Sequence, residues 1–239
     1  LQQGTEPCKN RTMPSIYYLR QFYPGNYYHI YNRGANKTDI FHDHDDYEIF
    51  TQILSYYLLH PNGTPQSILS RVADSKVPYL VNLTDDLPYT LMAYCLMPNH
   101  FHLMLRQDSS TTTISNLMKR LSITYSMYYN KRHHHSGAVC QGKYKNVILK
   151  NEYQWLYLSK YIHRNPAHLQ GSVPCNLSEY PYSSYRNYLG LRTDRWLNTV
   201  QILGTNERDS IGQYQKFVED GSDVGNIERC TLDVNELQY

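Results

Sequence analysis

The chain has 239 residues and a formal net charge of +2, which is long enough for one main domain around a single hydrophobic core. It contains no run of 18 or more apolar residues, which argues against a transmembrane helix, and we expect a cytoplasmic protein. The five cysteines are widely spaced and form no CxxC pair, so the sequence encodes neither a disulfide framework nor a zinc ribbon.

The basic residues are concentrated in one part of the chain. Residues 115–195 contain 12 lysines and arginines against 3 acidic residues, whereas the rest of the chain carries 11 basic and 18 acidic residues. Tyrosines are interspersed among these cations, and such a mixture is typical of surfaces that bind phosphates and unstacked bases. An ordinary solvated basic face is the alternative interpretation.

The first half of the chain predicts a strand, a helix and then two strands. Tyr27–Asn32 alternates in polarity, as a strand does, and apolar residues recur at helical spacing over Asp45–Leu59. Residues 60–88 lack a sustained period and predict a long inserted loop. Two β-rich runs, Tyr89–Met97 and Phe101–Arg106, are separated by a Pro-Asn turn and predict neighbouring antiparallel strands.

The second half predicts helices around one short extended segment. Helical spacing over Ile114–Lys131 predicts the second helix, and residues 141–149 predict an extended segment. Asn151 is a suitable N-cap for a third helix, which we expect to run to about Asn165 before Pro166 stops it. A last helix is predicted over residues 210–219.

This order of elements predicts an α+β sandwich, in which a mainly antiparallel sheet is covered by helices on one face. We expect residues 1–20 to form a poorly ordered polar leader and residues 21–190 to form the main domain. Residues 191–239 are predicted to be a small, helical C-terminal appendage.

A histidine pair gives the first indication of chemistry. His100 and His102 are two residues apart on a predicted strand, so they project to one face while Phe101 points to the other. Two imidazoles at this spacing can bind one divalent ion and leave open positions for substrate. Histidines on a half-exposed strand also occur without any metal. The run His133–His135 lies in a predicted polar loop, and we expect it to be solvated.

The third predicted helix offers a possible nucleophile. Tyr161 and Asn165 are four residues apart and therefore share one helical face. The chain has 25 tyrosines, and most tyrosines only pack or form hydrogen bonds. Helical spacing alone therefore does not select Tyr161.

Several motifs together resemble the HUH single-strand transposases of the insertion-sequence 200-like type, most closely the REP-associated tyrosine transposases. Three stretches carry most of the resemblance: Tyr28–Gly34 (YHIYNRG), Tyr94–His102 (YCLMPNHFH) and Tyr161–Pro166 (YIHRNP). Residues 141–145 and 180–185 also look like family segments, so the resemblance extends from about residue 27 to residue 190.

The resemblance implies a ferredoxin-like fold and a role for each motif residue. His100 and His102 match the HUH metal ligands, Asn165 matches a third ligand, and Tyr161 matches the nucleophile. The implied metal is Mg²⁺ or Mn²⁺. The implied reaction cuts single-stranded DNA, in a sequence- or hairpin-specific manner, to give a 5′-phosphotyrosine adduct and a 3′-hydroxyl that permits strand transfer. Relatives act as homodimers or as monomers, and both states stay open.

Single-stranded or hairpin DNA is thus the predicted partner, with no membrane involved. Charge alone nominates the residues that contact DNA, which are Arg33, Lys119, Arg120, Lys131, Arg132, Lys143, Lys145 and Arg164. Two rival hypotheses remain: a protein that binds hairpins without catalysis, and a metallohydrolase that uses activated water instead of Tyr161.

Overall fold

In the computed structural model, four strands form one antiparallel sheet in the order β2-β3-β1-β4. The structure describes residues 20–64, 87–169, 176–204 and 207–220. The strands are β1 Tyr27–Arg33, β2 Tyr89–Met97, β3 His100–Gln107 and β4 Lys145–Leu149. The predicted leader before residue 20, most of the predicted inserted loop and the last residues of the chain lie outside the described residues.

The three long predicted helices are present, and side-chain caps explain where two of them begin. The helices are α1 His44–Leu59, α2 Ile114–Arg132, α3 Glu152–Arg164, α4 Tyr185–Tyr188, α5 Val200–Leu203 and α6 Glu207–Glu219. The Asp43 carboxylate accepts a hydrogen bond from the Asp46 amide at the start of α1. Asn151 caps α3 in the same way, as predicted, by accepting from the Gln154 amide.

Helices cover both faces of the sheet, so the α+β class is confirmed but the placement of all helices on one face is wrong. One core cluster packs α1 and α2 against strand residues such as Ile30 and Leu103. A second cluster packs Leu158 and Ile162 of α3 against the opposite face, where Met104 lies. The amphipathic pattern of a helix identifies its buried side but not the sheet face that it covers.

The residues after 190 pack on the rest of the molecule. Trp196 stacks on Tyr94 of β2 with a ring-centroid distance of 5.4 Å. Val218 of α6 is buried in a third apolar cluster together with Tyr185 and Tyr188. Residues of the C-terminal region therefore contribute to the core. That residues 191–239 form an appendage separate from the main domain of residues 21–190 stays a prediction.

Candidate active site

The candidate site lies on the sheet face that α3 covers. His100 and His102 of β3 point to this face, because successive strand residues alternate between faces. The register places His102 opposite Tyr31 of β1, and His29 is two residues from Tyr31 on the same face. His29 and His102 are fully buried and His100 is 4% exposed, so all three rings are shielded from water.

Hydrogen bonds determine which ring nitrogen of His100 has a lone pair that could bind a cation. Its Nδ1 lies 2.6 Å from the Oδ1 of Asn99, and because an amide oxygen only accepts, Nδ1 is the donor. In the neutral ring the lone pair is then on Nε2, which lies 3.4 Å from the Oδ1 of Asn165. The Asn165 amide nitrogen donates to the Tyr161 carbonyl at 2.9 Å, and this bond turns Oδ1 towards His100. Two acceptor atoms therefore face each other, an arrangement that a cation between them would stabilise.

His102 presents a second nitrogen to the same region. Its Nδ1 is 2.9 Å from the Nε2 of His29. Its Nε2 is buried and has no hydrogen-bond partner among the described residues. The rings of His100 and His102 meet edge to face, with centroids 5.1 Å apart. A buried polar atom without a partner needs an explanation, and a bound ion is one such explanation.

Burial keeps both predicted ligands neutral. Loss of water lowers the pKa of His100 to about 4, against the opposing effect of its contact with Asn165. Burial also lowers the pKa of His102 well below its usual value, with the nearby rings of His100 and His29 acting in the same direction. A neutral imidazole is the form that binds a metal ion, so these environments suit ligation at neutral pH.

The capped helix α3 brings the predicted nucleophile to these rings. Tyr161 is 6% exposed, and its ring meets the His102 ring edge to face at a centroid distance of 5.3 Å. A similar contact joins it to His29 at 6.2 Å. The structure therefore places Tyr161, His100, His102 and Asn165 together in one chain.

Three of these residues, His100, His102 and Asn165, have the atoms to hold a divalent ion through two nitrogens and one amide oxygen. Among the described residues, no group of three or more histidine, cysteine, aspartate or glutamate side chains is arranged to hold a metal ion. The His100, His102 and Asn165 set includes only two side chains of those types. A partial set of this kind leaves coordination positions for phosphate oxygens, as substrate-binding metal sites require.

The four lysines among the predicted DNA contacts are exposed, and one of them shares the face of the site. The exposed side chains are those of Lys119, Lys131, Lys143 and Lys145. Lys145 on β4 is paired with Tyr31, and Tyr31 is paired with His102, so the three residues form one row across the sheet. Directly paired residues point to the same face, which puts Lys145 on the side of the histidines.

Arg132 is instead occupied by contacts inside the protein. Its guanidinium lies 2.8, 3.0 and 3.2 Å from the carboxylates of Asp43, Asp45 and Asp46. His133 also contacts the fully buried Asp46, at 3.0 Å, so the expectation that this histidine is solvated is wrong. Both side chains fasten the end of α2 to the beginning of α1.

The other three predicted arginines also have partners in the fold. Arg164 donates to the carbonyl oxygen of Val218 at 2.7 Å, near the end of α6. Arg120 donates to the carbonyl of Pro61. Arg33 is 8% exposed and is close enough for its charge to help lower the pKa of His100. Net charge along the chain could not distinguish such cations from exposed ones.

Two residues of the site were missed by the sequence analysis. His29 contacts His102, and Asn99 contacts His100, so each lies directly behind a predicted ligand. Asn99 was interpreted only as a turn residue. His29 lies two residues from Tyr27 and from Tyr31, so strand alternation puts the three side chains on one face. Which residues of β3 lie beside His29 depends on the register of the sheet, which the sequence does not show.

Comparisons with known proteins relate the chain to one family and one fold. Residues 66–165 match the family model described as "Transposase IS200 like". A solved structure described as a REP-associated tyrosine transposase bound to a REP hairpin superposes with a TM-score of 0.50 at 13% identity, covering 74% of this chain and 88% of that one. At that identity the likeness shows the fold alone. No curated protein gives a significant match. No described helix is long and apolar enough to cross a membrane.

Proposed function

We propose that this chain, a member of the IS200-like transposase family through residues 66–165, cuts and rejoins single-stranded DNA by a covalent bond to Tyr161. The family match supports a transposase that acts on DNA. The finer assignment rests mainly on one observation, the convergence of the Tyr161 ring with His100, His102 and Asn165. The REP hairpin is bound by the structurally similar transposase, and we extend hairpin recognition to this chain as part of the proposal.

His100, His102 and Asn165 would hold a divalent ion, Mg²⁺ or Mn²⁺. When bound, the ion would polarise the scissile phosphate and offset charge on its non-bridging oxygens. The two nitrogens and the amide oxygen leave room for those oxygens, and Mn²⁺ accepts such a mixed set more readily than Mg²⁺ does.

Tyr161 would supply the nucleophile. The phenol would give up its proton as its oxygen bonds to the phosphorus and the bond to the 3′-oxygen breaks, and the departing oxygen would take up a proton to become a 3′-hydroxyl, so that no net proton is consumed. The new phosphotyrosine bond is again a phosphodiester, so another 3′-hydroxyl can reverse the attack and join a different strand. Rejoining then needs no nucleotide cofactor.

The exposed lysines would hold the DNA backbone near this centre. Lys145 is the best placed because it lies in the same row of the sheet as His102. Phosphate contacts of this kind determine where the strand lies but do not read its sequence.

The test is a covalent trapping experiment with Mn²⁺ and labelled DNA hairpins that carry randomised single-stranded flanks. We expect a protein–DNA adduct on denaturing gels, and mass spectrometry should find the nucleotide on Tyr161. Tyr161→Phe should form no adduct, and its cleavage rate should fall by several orders of magnitude, because no other group replaces the nucleophile. Tyr153→Phe is the matched control, since Tyr153 is on the same helix but 61% exposed.

Two results would refute the proposal in different ways. Cleavage by Tyr161→Phe at the unsubstituted rate would indicate hydrolysis by water. Hairpin binding without any adduct in the unsubstituted protein would indicate a binding protein.

A further inference from the structure

We infer that His29 is a positioning residue that selects the ring tautomer of His102 and so presents its Nε2 to the metal ion. This inference deepens the proposed function and rests on it. His29 is not among the residues that the sequence motifs assign to catalysis. It is fully buried on β1, on the same face of the sheet as the site.

The contact between the two histidines is short and specific. The Nε2 of His29 lies 2.9 Å from the Nδ1 of His102, and the rings are stacked at 5.1 Å with an interplanar angle of 22°. At this distance one nitrogen donates and the other accepts. The hydrogen bond therefore couples the tautomer of His102 to that of His29.

The two possible arrangements differ in what they leave on the far side of His102. If His29 donates, His102 carries its proton on Nε2, so this buried nitrogen has no lone pair to offer to an ion. If His102 donates from Nδ1, its Nε2 keeps a lone pair. Only the second arrangement lets His102 bind an ion together with His100, whose Nε2 lone pair is determined separately by Asn99. Ligating histidines commonly donate their other ring hydrogen to such a partner.

Neighbouring rings hold His29 in the required orientation. Tyr31 stacks on it at a centroid distance of 4.8 Å. The ring of Tyr161 contacts it edge to face at 6.2 Å, so the residue proposed as nucleophile packs against both histidines. His29 thus contacts both a predicted ligand and the residue proposed as nucleophile.

The first test uses the unsubstituted protein without metal. Long-range ¹⁵N–¹H spectra of histidine-labelled protein report which ring nitrogen carries the hydrogen, and His102→Gln assigns the signals. We expect hydrogen on Nδ1 of His102. Hydrogen on its Nε2 would overturn the inference, and this result requires neither a folded His29 variant nor DNA cleavage.

The second test measures Mn²⁺ affinity from the electron paramagnetic resonance signal of unbound Mn²⁺. His29→Leu should weaken binding by about 10- to 100-fold, as loss of a partner behind a metal ligand typically does. His29→Gln, whose side-chain oxygen can still accept, should recover most of the affinity. His133→Leu is the control, because His133 is a histidine bonded to the buried Asp46 where α2 meets α1, on the face of the sheet opposite the ligands, and the Mn²⁺ affinity of this variant should be unchanged.

The outcomes separate this inference from the proposed function. Equal Mn²⁺ affinity in folded His29→Leu and the unsubstituted protein would overturn the role of His29 alone. An unsubstituted protein that binds no Mn²⁺ would count against the proposed metal site itself. Should His29→Leu fail to fold by circular dichroism, the tautomer measured in the unsubstituted protein decides.

Discussion

Asn99 and Asn165 show how single hydrogen bonds prepare the candidate site. Asn99 determines the donor nitrogen of His100, and Asn165 uses its amide nitrogen on the Tyr161 carbonyl so that its oxygen faces His100. The basic side chains also differ from one another in the groups that they contact. Lys145 is exposed on the face of the site, whereas Arg132 is held by carboxylates of α1. Partners, more than residue type, determine what each side chain can do.

Lys145 and Arg132 provide a matched pair of substitutions. Lys145→Ala should weaken binding of hairpin DNA and reduce the slope of log affinity against log salt by about one, because one phosphate contact is lost. Arg132→Ala should leave DNA affinity unchanged but lower the free energy of unfolding by about 1–3 kcal/mol, since the buried carboxylate of Asp46 loses a charged partner. Fluorescence anisotropy at several salt concentrations and urea titration measure the two effects. Weaker DNA binding by a fully stable Arg132→Ala would contradict this division.

Buried histidines should make the fold sensitive to acid. Burial lowers the pKa of His163 to about 3 and that of His100 to about 4, from an ordinary value of 6.5. Between each of these values and 6.5 the unfolded chain binds more protons than the folded one, so the stability that is fully present above pH 6.5 is lost as pH falls towards 4 for His100 and towards 3 for His163. Each group contributes a slope of up to about 1.4 kcal/mol per pH unit. Urea titrations over this range should show the decline, and His163→Leu should make it shallower; a stability independent of pH there would contradict the assignment.

At the scale of elements, α3 is fastened on two sides. Leu158 and Ile162 of α3 pack on the sheet. The last helix, α6, also contacts α3. The Tyr214 hydroxyl of α6 lies 2.7 Å from the Nδ1 of His163 and donates to Ser159 at 2.8 Å. This buried network fixes the helix that carries Tyr161.

Tyr214→Phe tests how much this network contributes. Removing the hydroxyl leaves His163 and Ser159 without that partner, and we expect the free energy of unfolding to fall by about 1–3 kcal/mol. Urea denaturation gives the value. Tyr153→Phe removes a hydroxyl from an exposed tyrosine and should change stability little. Equal effects of the two substitutions would mean that the network does not stabilise the docking of α6.

At the scale of the whole molecule, the candidate site is built from one chain. β1 supplies His29, β3 supplies the two predicted histidine ligands, and α3 supplies Tyr161 and leads directly into Asn165, the third predicted ligand. Tyr161 is almost fully buried against His102 of its own chain. Such packing favours action in cis over exchange of the tyrosine helix between subunits.

A mixing experiment tests assembly in cis. Tyr161→Phe and His102→Ala are each expected to be inactive, and an equimolar mixture should stay inactive because neither chain holds a complete site. Adduct formation on labelled hairpin DNA is the readout. Recovered activity in the mixture would show that a tyrosine from one subunit serves the histidines of another.

Local sequence patterns predicted the strands and the longer helices and nominated the main residues of the candidate site, but they did not predict the short helices α4 and α5. Tyr89–Met97 was predicted as a strand with the bounds that β2 has, and Asn151 caps α3 as expected, because β-forming composition and capping are properties of neighbouring residues. The sequence motifs also nominated Tyr161 and the two histidines of β3, whose chemical roles stay proposals. Three features became known only from the folded structure: α3 covers the opposite face of the sheet from α1, His29 lies behind His102, and Arg132 contacts the Asp43 carboxylate. These features depend on contacts between residues far apart in the chain, and neither local periodicity nor charge encodes which distant surfaces meet.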